Sequence, residues 1–508
     1  MVSFLKRIGL RPVWLCATLC LLFFQQTTFA EGIKELAPAS SDTLMLNCNN
    51  GAYYDFARYD GDSSTRLYIH IEHPNKEQVF LGFSQPRSSI YTNSPQVTGW
   101  FRIKAPDGTV VYTAQRIDGT TANINNWSQG NAGPAPIAGS GGYTPFVFDP
   151  TGLAAGDYYI EFNRDSSTYN TGVLTFEYFD ITVATNGTTP AAINGRVFAY
   201  NWAFAAPSNR LNATTYGDYH RPFNGTFYVY TDEQYVSKID FNGSGFQPWA
   251  FNISLNSTGT ATGLGVVENR KSLQSKQGNI PEYAVYLNDP DASIYPSGTF
   301  GELLTDSTLL YGCPQSGYFF KLVTTKTGVV EVLLDQDQAS GTGVYDPGTA
   351  DRLLAFYVEQ QLTDTIPGIY IRHIPWDGLD GLGNAVNLAN PVPTKVTFSQ
   401  GGYHIPVYDA EYNLNGFTAT IERPSPPVGY SLGFYYDDSN ISEAPTGSEV
   451  ETVGCTPACH TWTDYDFGDL NTINTWWFAK QENQSVNMMV ASAVPSPSLS
   501  GPQSATTI

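Results

Sequence analysis

Apolar residues that alternate with polar ones, in short runs separated by turn residues, constrain this chain more than any other feature. Residues 67–71 place leucine or isoleucine at every second position, and Pro74 and Asn75 follow. Residues 156–162 open on glycine and aspartate and then alternate in the same way. Successive side chains of a strand point to opposite faces of a sheet, so each run predicts a half-buried strand. Because no segment has the 3.6-residue period of a long helix, the sequence predicts an all-β protein.

Composition agrees with this prediction and argues against one class of function. Aromatic residues make up 14% of the 508 residues, and the chain holds 47 Gly and 32 Pro. Strand-forming aromatic residues and frequent turn residues are typical of β-proteins. The formal net charge is −21, whereas binding to nucleic acid phosphates requires clustered Lys and Arg. We therefore expect no nucleic acid partner, and the acidity favours attraction of cations.

Residues 1–30 have the organisation of a signal peptide that is removed during export. Basic residues open the segment, residues 13–24 are apolar, and Ala30 ends a cleavage motif directly before Glu31. The apolar run is shorter than the about 20 residues that a membrane-spanning helix needs, and no later run is that long. We expect an exported protein, secreted or at the cell surface, that starts at Glu31 and contains no transmembrane helix.

Polar and proline-rich stretches divide the rest of the chain. A polar break follows residue 185, and stacked prolines, which hold an extended backbone, follow Arg423. A second proline-rich linker precedes the last ten residues. The predicted segments are a β-sandwich at 36–185, a β-rich domain at 191–310, a third β-domain at 311–423, a small aromatic β segment with a cysteine pair at 428–492, and a linker with the start of a further domain at 493–508.

Four cysteines follow the predicted cleavage site, and an oxidising compartment allows three pairings among them. Cys455 and Cys459 are separated by three residues, so a disulfide between them would close a small loop. Cys48 and Cys313 would then pair across domains or stay free. A disulfide needs Cα atoms within about 7 Å, which sequence cannot show. We expect the local disulfide, and both outcomes remain open for the other two cysteines.

Acidic loops are the candidate metal sites, because Ca²⁺ takes oxygen ligands. Aspartates recur in residues 335–351, although their spacing departs from the EF-hand template and a solvated hairpin loop is the alternative. In residues 376–386, two aspartates are interleaved with glycines, and the alternative is a hairpin whose aspartates bond their own backbone amides. A third acidic stretch spans residues 464–469. The predicted ligands of a structural Ca²⁺ ion, with no cofactor required, are Asp335, Asp337, Asp346 and Asp351, and in the second loop Asp377 and Asp380.

Sequence templates for catalysis are missing from the chain. It contains no G-x-S-x-G, no H-E-x-x-H, no P-loop and no dinucleotide-binding fingerprint. Paired carboxylates for glycoside hydrolysis remain open, because such pairs come from distant strands. Trp462, Trp476 and Trp477 would either stack on sugars or fill a sandwich core. The sequence therefore predicts no catalytic residue and assigns no ligand-binding residue.

Several segments resemble the N-terminal region of very large exported surface proteins of Bacteroidota, which are described as gliding-motility-associated or adhesin-like. The loop at residues 376–380 also resembles one in the Ig-like domain of flagellar hook-cap proteins, where it closes a hairpin and has no catalytic role. The segments that carry the resemblance are residues 195–198, 223–230, 238–242, 286–291, 330–335, 376–380 and 403–409.

The resemblance implies tandem β-sandwich domains of jelly-roll or Ig-like type, with an Ig-like sandwich at 311–423 and a further Ig-like repeat beginning within 493–508. It also implies export through the outer-membrane machinery of a type IX-like system. Because relatives continue into more repeats, we expect a longer native polypeptide. The implied function is noncatalytic adhesion or surface display, with an extracellular polymer or surface ligand as partner. The alternative is a secreted carbohydrate-binding or polysaccharide-degrading protein.

Overall fold

The computed structural model describes residues 31–42, 44–49, 55–91, 93–206, 221–260, 263, 265–277, 280–336, 343, 345–346, 348–358, 368–426, 432–442, 448–449, 455 and 459–491. The predicted signal segment and the predicted linker at 493–508 lie outside these residues. Strands hold 44% of the residues and helices 8%, so the protein is all-β, as predicted. Within the described residues, no helix has the length and apolarity required to cross a membrane.

The strands are short, and most end at a glycine or another turn residue. In chain order they are β1 (Met45–Cys48), β2 (Leu67–Ile71), β3 (Glu77–Phe83), β4 (Gly99–Lys104), β5 (Val110–Ile117), β6 (Phe146–Phe148), β7 (Gly156–Asn163), β8 (Leu174–Phe176), β9 (Phe179–Thr185), β10 (Val197–Ala199), β11 (Asn201–Ala205), β12 (Thr226–Tyr230), β13 (Val236–Asp240), β14 (Phe246–Gln247), β15 (Ala250–Ser254), β16 (Val285–Tyr286), β17 (Leu309–Cys313), β18 (Gly317–Thr324), β19 (Gly328–Leu334), β20 (Arg352–Val358), β21 (Tyr370–Trp376), β22 (Val392–Gln400), β23 (Tyr403–Val407), β24 (Tyr412–Asn413), β25 (Thr418–Arg423), β26 (Phe434–Asp437), β27 (Ser448–Glu449), β28 (Ile473–Trp477), β29 (Lys480–Met488) and β30 (Val490–Ala491).

Helices are confined to single turns or little more. They are α1 (Ile33–Leu36), α2 (Trp127–Ala132), α3 (Ala135–Ala138), α4 (Val266–Asn269) and α5 (Tyr465–Leu470), with 3₁₀ turns at Ser63–Thr65, Gly139–Gly141 and Thr305–Ser307. Asn126 and Asp464 cap α2 and α5 by accepting hydrogen bonds from backbone N–H groups of the first turn.

Most strands belong to one large body, which we define as residues 31–287 and 403–477. Its main sheet has nine strands in the order β25-β13-β12-β16-β10-β2-β7-β4-β5. Sheets β15-β11-β1-β8, β6-β3-β9, β23-β28-β26-β27 and the pair β14-β24 complete the body. Apolar side chains from all five sheets merge into one continuous core. The alternation in β2 explains its place there, because Leu67, Ile69 and Ile71 are fully buried and the intervening side chains are half-buried.

Aromatic rings fill much of this core. The rings of Phe101, Phe162 and Phe176 lie 5.3–5.4 Å from the ring of Phe83, centroid to centroid, in tilted or edge-on orientations. These are the arrangements that aromatic pairs prefer. Burying one such ring stabilises a fold by roughly 1.5–3 kcal/mol, so the high aromatic content of the sequence is used mainly for packing.

The remaining strands form a small sandwich, which we define as residues 303–400 and 480–491. One sheet has the order β21-β18-β17-β30 and the other β20-β19-β22-β29. Buried residues of the two inner faces, such as Phe320, Val332 and Phe398, form a separate core. The last strand, β30, pairs with β17 in parallel, whereas the other neighbours in the two sheets are antiparallel.

The predicted segments do not correspond to separate sheets. Strands of 36–185 and 191–310 lie side by side in the nine-stranded sheet, through the pairing of β2 with β10. The segment 311–423 contributes β17–β22 to the small sandwich, but its last strand, β25, pairs with β13 of the large body. The segment 428–492 is also divided between the bodies, but in the reverse order: β28 lies in the large body and the following β29 lies in the small sandwich. The chain therefore crosses between the bodies repeatedly, once around Gly402 and once around Phe478.

Candidate functional site

The loop after β21 forms a hairpin in which its two aspartates accept backbone hydrogen bonds, which was the stated alternative to a metal site. Asp377 Oδ1 accepts from the N–H of Leu379 at 3.0 Å and from the Arg352 guanidinium at 2.5 Å. Asp380 Oδ1 accepts from the N–H groups of Leu382 and Asn384. These N–H groups lower the pKa of Asp380, foremost the one of Asn384. Asp380 is thereby satisfied by its own loop, and Asp377 by its loop together with Arg352 on β20.

In the described part of the loop 335–351 two aspartates also accept backbone hydrogen bonds, although Asp335 Oδ1 is buried and has no hydrogen-bond partner among the described residues. Asp335 is buried and accepts from the N–H of Gly343. Asp351 is also buried and accepts from the N–H groups of Gln336 and Asp346, at 2.8 and 3.1 Å. The carboxylates therefore hold the ends of the loop together. Asp337 lies outside the described residues, and Ca²⁺ binding at either loop stays a prediction.

The cysteines adopt one of the arrangements that the sequence left open. Cys455 and Cys459 form the predicted disulfide, with their Cα atoms 6.0 Å apart. Cys48 and Cys313 are free thiols, so the alternative in which they pair across domains does not occur in the structure. The reason is their placement: Cys48 is buried in β1 of the large body, whereas Cys313 is exposed at the end of β17 in the small sandwich.

The tryptophans considered for sugar stacking are part of the core instead. Trp462, Trp476 and Trp477 are each at most 1% exposed. The indole N–H of Trp477 donates to the hydroxyl of Tyr403 at 2.6 Å, and that of Trp462 donates to the carbonyl of Ala410 at 2.8 Å. Buried indole groups need such partners, and none of these three rings offers a free face to a ligand.

A group of three carboxyl side chains lies where no single sequence motif indicated it. Of the described residues, only Asp409, Glu411 and Asp469 bring three potential ligand atoms within 4.8 Å of one another. Asp469 belongs to the third acidic stretch noted in the sequence, at the end of α5, and the other two follow β23. Burial, reinforced by the neighbouring carboxylates, raises the pKa of Glu411 to about 9 and that of Asp409 to about 7. Glu411 thus holds a proton at neutral pH, and Asp409 is close to half protonated there.

A cleft between the large body and the small sandwich brings several polar groups together. Its volume is about 350 Å³, which is within the range of small-molecule sites. The hairpin turn between β12 and β13 and the segments around Ser257 and Glu282 supply one side, and β19, β20 and β22 supply the other. Two of the places where the chain crosses between the bodies, at Gly402 and Phe478, also line it. Such a position between two bodies is typical of ligand sites.

Carboxyl groups form the rim of this cleft. Asp232 and Glu282 are exposed and Glu233 is half-buried. The hydroxyl of Tyr357, on β20 of the small sandwich, donates to Glu233 Oε1 at 3.1 Å. Burial raises the pKa of Glu233, and burial together with the nearby Glu282 raises that of Asp232. The rim therefore carries negative charge and also a carboxyl group that takes up a proton more readily than usual.

Local turns hold these groups in place. Gln234 has a positive φ of 65°, and its N–H donates to the carbonyl of Thr231, which tightens the turn that carries Asp232 and Glu233. On the other segment, the backbone N–H and the hydroxyl of Ser257 both donate to the carboxylate of Glu282, at 2.7 Å and at 2.8–3.0 Å. The rim is thus positioned by the backbone and by short hydrogen bonds.

The floor of the cleft is buried and carries hydrogen-bonding groups. His404 is 5% exposed, and burial lowers its pKa to about 3. The side-chain amide of Asn474 donates to the carbonyl of Arg270 and also to His404 Nδ1, so the neutral ring carries its proton on Nε2. Tyr283 is also buried, and burial raises its pKa, which keeps its hydroxyl protonated. Phe478 and Val329 add apolar surface.

A buried ion pair joins the two bodies beside the cleft. The guanidinium of Arg270, in the large body, donates to Glu331 on β19 of the small sandwich. The side chains are 5% and 4% exposed, and the guanidinium also lies 5.4 Å from the ring of Trp476. Removing one partner of such a pair leaves an uncompensated charge in the interior. The pair therefore fixes the two walls relative to each other.

Sequence reasoning missed the cleft because its groups come from distant strands and turns. The adjacent acids Asp232 and Glu233, in a turn between two predicted strands, are the one local signal that could have drawn attention to it. Comparison with known proteins adds nothing to the assignment: no family model, no curated protein and no solved structure matches the chain. The resemblance to exported surface proteins stays an expectation from the sequence.

Proposed function

We propose that this protein is an exported, noncatalytic binding protein that takes a saccharide of an extracellular polymer in the cleft between its two bodies. The observation that carries the proposal is the composition of the cleft: carboxylates at the rim, hydroxyl and imidazole groups on the floor, and aromatic and aliphatic side chains beside them. Sugars present many hydroxyl groups and weakly polar ring faces. A site of acceptors, donors and apolar surface complements both.

The charge of the cleft narrows the class of saccharide. Asp232, Glu233 and Glu282 lie at the rim, while Arg270, whose guanidinium also lines the cleft, is paired with Glu331. An anionic sugar such as a uronic acid would meet like charge, which disfavours binding. Neutral sugars avoid this repulsion, and amino sugars add attraction. The proposed ligand is therefore a neutral or basic saccharide.

The setting of the cleft supports a role in adhesion or surface display. The segment at residues 1–30 has signal-peptide organisation, and the resemblance to surface proteins of Bacteroidota points in the same direction. Crossing of the chain between the two bodies and the buried pair Arg270–Glu331 give the cleft walls a fixed separation. A preformed site reduces the ordering cost of binding. The protein would act at the cell surface or in the secreted fraction, after export through the outer membrane.

Binding of three tetrasaccharides to residues 31–508 tests the proposal. We expect chitosan tetramer to bind most tightly, cellotetraose more weakly and tetragalacturonate not measurably, in calorimetry at pH 7. Tyr357→Phe removes the hydroxyl that contacts Glu233 and should weaken binding by about tenfold, which corresponds to about 1.4 kcal/mol. Tyr311→Phe is the matched control. The Tyr311 hydroxyl bonds His373, and both residues lie in the sheet of the small sandwich that does not contain Tyr357. Preferred binding of tetragalacturonate, or equal effects of the two variants, would contradict the proposal.

Polysaccharide hydrolysis is the second candidate, and one observation favours it. Glu233 has a raised pKa and lies near Glu282 and Asp232, and a carboxyl that stays protonated can act as a general acid while a neighbour stays ionised. Release of reducing ends from chitosan or cellulose oligomers, lost in Glu233→Gln, would establish this activity and overturn the noncatalytic proposal. Binding without release of reducing ends supports the noncatalytic protein.

A further inference from the structure

The segment that follows the predicted cleavage site is built into the fold. Glu31 is 1% exposed, and its carbonyl accepts a hydrogen bond from the N–H of Ile181 at 3.0 Å. Gly32 forms a β-bridge with Asp180, and a Cβ at Gly32 would lie only 2.3 Å from the carbonyl oxygen of Phe179. First residues of a chain are usually poorly ordered unless they are held by such pairing. Here Glu31 and Gly32 both take part in such pairing.

The Glu31 side chain is fixed as well. Its carboxyl oxygens accept from the N–H groups of Gly195 and Arg196 at 2.8 and 3.3 Å. Glu35, half-buried in α1, accepts from the N–H of Gly32 at 2.9 Å. The start of the chain is therefore held on both sides, by β9 and by the segment before β10.

Asp180 is the group that makes this start unusual. Its carboxylate is fully buried and accepts hydrogen bonds from the hydroxyls of Tyr143 and Thr182, at 2.5 Å and at 3.0–3.2 Å. The backbone N–H of Glu31 also donates to this carboxylate. Lys34 acts on it electrostatically from α1. The nitrogen that removal of the signal peptide would release thus lies beside a buried carboxylate, because Gly32 is bridged to Asp180 and the N–H of Glu31 lowers the pKa of Asp180 as a hydrogen-bond donor.

We propose that hydrolysis of the Ala30–Glu31 bond by a signal peptidase creates a buried ion pair, in which the new α-ammonium group of Glu31 binds the carboxylate of Asp180. Hydrolysis consumes one water: the carbonyl carbon of Ala30 gains an oxygen and leaves with the signal peptide as a carboxylate. The nitrogen of Glu31 keeps its bond to Cα and takes up protons to become an ammonium group. An α-amino group has a pKa of about 7.7–8.0 and is mostly charged at neutral pH.

The chemistry of the pocket explains why a cation is favoured there. Glu31, Glu35 and Asp180 repel one another, and burial raises the pKa of Glu31 to about 8 and that of Asp180 to about 7. An amide N–H is neutral, whereas an ammonium group favours the ionised form of the Asp180 carboxyl group and makes a stronger, charge-assisted hydrogen bond with it. The uncleaved precursor lacks that ion pair, so it is less stable than the mature protein. Export and folding are thereby coupled, because the full stability is gained only after cleavage.

A comparison of two forms of the mature protein tests this inference. One form starts at Glu31, and the other carries one additional alanine, which moves the ammonium group by about 3.5 Å. We expect the extended form to melt at least about 5 °C lower. Asp180→Asn perturbs the buried hydrogen bonds of Tyr143 and Thr182 in both forms, but it should lower the melting temperature of the form that starts at Glu31 by several degrees more than that of the extended form, because only the former also loses the ion pair. Asp157→Asn, at the exposed pair with His70, should have the same small effect in both.

Two further measurements do not depend on the stability of variants. The α-amino group of the form that starts at Glu31 should react with an acylating reagent only at a pH above the ordinary range of about 7.7–8.0, and more slowly than that of the extended form. N-terminal sequencing of the exported protein should give Glu31. Equal melting temperatures of the two forms, an equal effect of Asp180→Asn in both, ordinary amine reactivity, or a different first residue would each overturn the proposal.

Discussion

The loop at residues 376–386 and the cleft between the two bodies both gather carboxyl groups, but the pKa values of these groups are shifted in opposite directions. In the loop, Asp380 accepts hydrogen bonds from N–H groups of its own backbone, Asp377 accepts from the Arg352 guanidinium and the N–H of Leu379, and both pKa values are lowered. In the cleft, Asp232 and Glu233 lie beside other carboxylates and a buried floor, and both pKa values are raised. A carboxylate that is satisfied by its own backbone contributes to structure. A carboxyl group whose ionised form is disfavoured by its surroundings is a candidate for contact with a ligand.

The largest difference in unfolding free energy should appear between two variants, one that removes a charge beside the cleft and one that removes a charge at the loop. Glu331→Gln leaves the buried Arg270 guanidinium without a counter-charge, and the loss of unfolding free energy should be about 3 kcal/mol. Asp377→Asn breaks the Arg352–Asp377 pair, whose side chains are 29% and 51% exposed, and should cost less than about 1 kcal/mol. Chemical denaturation at pH 7 measures both. Losses of equal size would remove the distinction between the two regions.

The second prediction uses pH and concerns Glu411, the most strongly perturbed carboxyl of the group Asp409–Glu411–Asp469. Its pKa in the folded protein, about 9, is above the ordinary 4.5. Stability is therefore lost as the pH rises from about 4.5 to about 9, because the folded state resists ionisation of this group. Glu411→Gln cannot ionise, so it should be more stable than the original protein by a few kcal/mol at pH 8, which lies above 4.5 and below about 9, and equally stable at pH 4.

Asp377→Asn is the control, because its effect on stability at pH 8 should have the opposite sign to that of Glu411→Gln. Burial alone would raise the pKa of Asp377, but the hydrogen bonds from Arg352 and from the N–H of Leu379 together lower it. Its contribution is present above the ordinary value of 3.8 and is lost as the pH falls through the lowered value. The variant should therefore be slightly less stable than the original at pH 8. A Glu411→Gln variant that is destabilised at pH 8 would contradict the assignment of Glu411 as a buried, proton-holding group.

The smallest effect should come from single hydroxyl groups. Tyr357→Phe removes the donor to Glu233 across the two bodies, and the expected loss of unfolding free energy is about 1 kcal/mol. Tyr311→Phe removes a hydroxyl that bonds His373 within one exposed sheet, and the expected loss is within about 0.5 kcal/mol. Thermal melts of the two variants side by side measure the difference. A larger loss for Tyr311→Phe would mean that the cleft walls do not depend on this contact.

Local features of the fold could be predicted from the sequence, whereas the arrangement of strands could not. The alternation in residues 67–71 and 156–162 predicted β2 and β7, because period two depends only on neighbouring residues. The spacing of Cys455 and Cys459 likewise sufficed for the disulfide. The pairing of β25 with β13 joins residues far apart in the chain. No periodicity encodes such a partner, so the segment boundaries did not follow the sheets.

The candidate site could not be predicted from the sequence for the same reason: its residues are far apart in the chain. Acidic residues that are close in sequence drew attention to residues 335–351 and 376–386, yet short loops supply enough N–H groups to satisfy their own aspartates. The cleft takes Glu233, Glu282, Tyr357 and His404 from four separate parts of the chain. Only the packing of the two bodies brings them together. Proximity in sequence was therefore a poor guide to which carboxyl groups face a ligand.

Hydrogen exchange with and without chitosan tetramer tests the proposed role of the cleft most directly, because it reports on every segment at once. We expect slower exchange on binding at residues 231–235, 255–258 and 399–404, which carry the rim and floor of the cleft, and unchanged exchange at residues 376–386. Glu233→Gln should abolish most of this protection, whereas Asp380→Asn should preserve it. Protection centred on residues 376–386, or no protection at any cleft segment, would contradict the account.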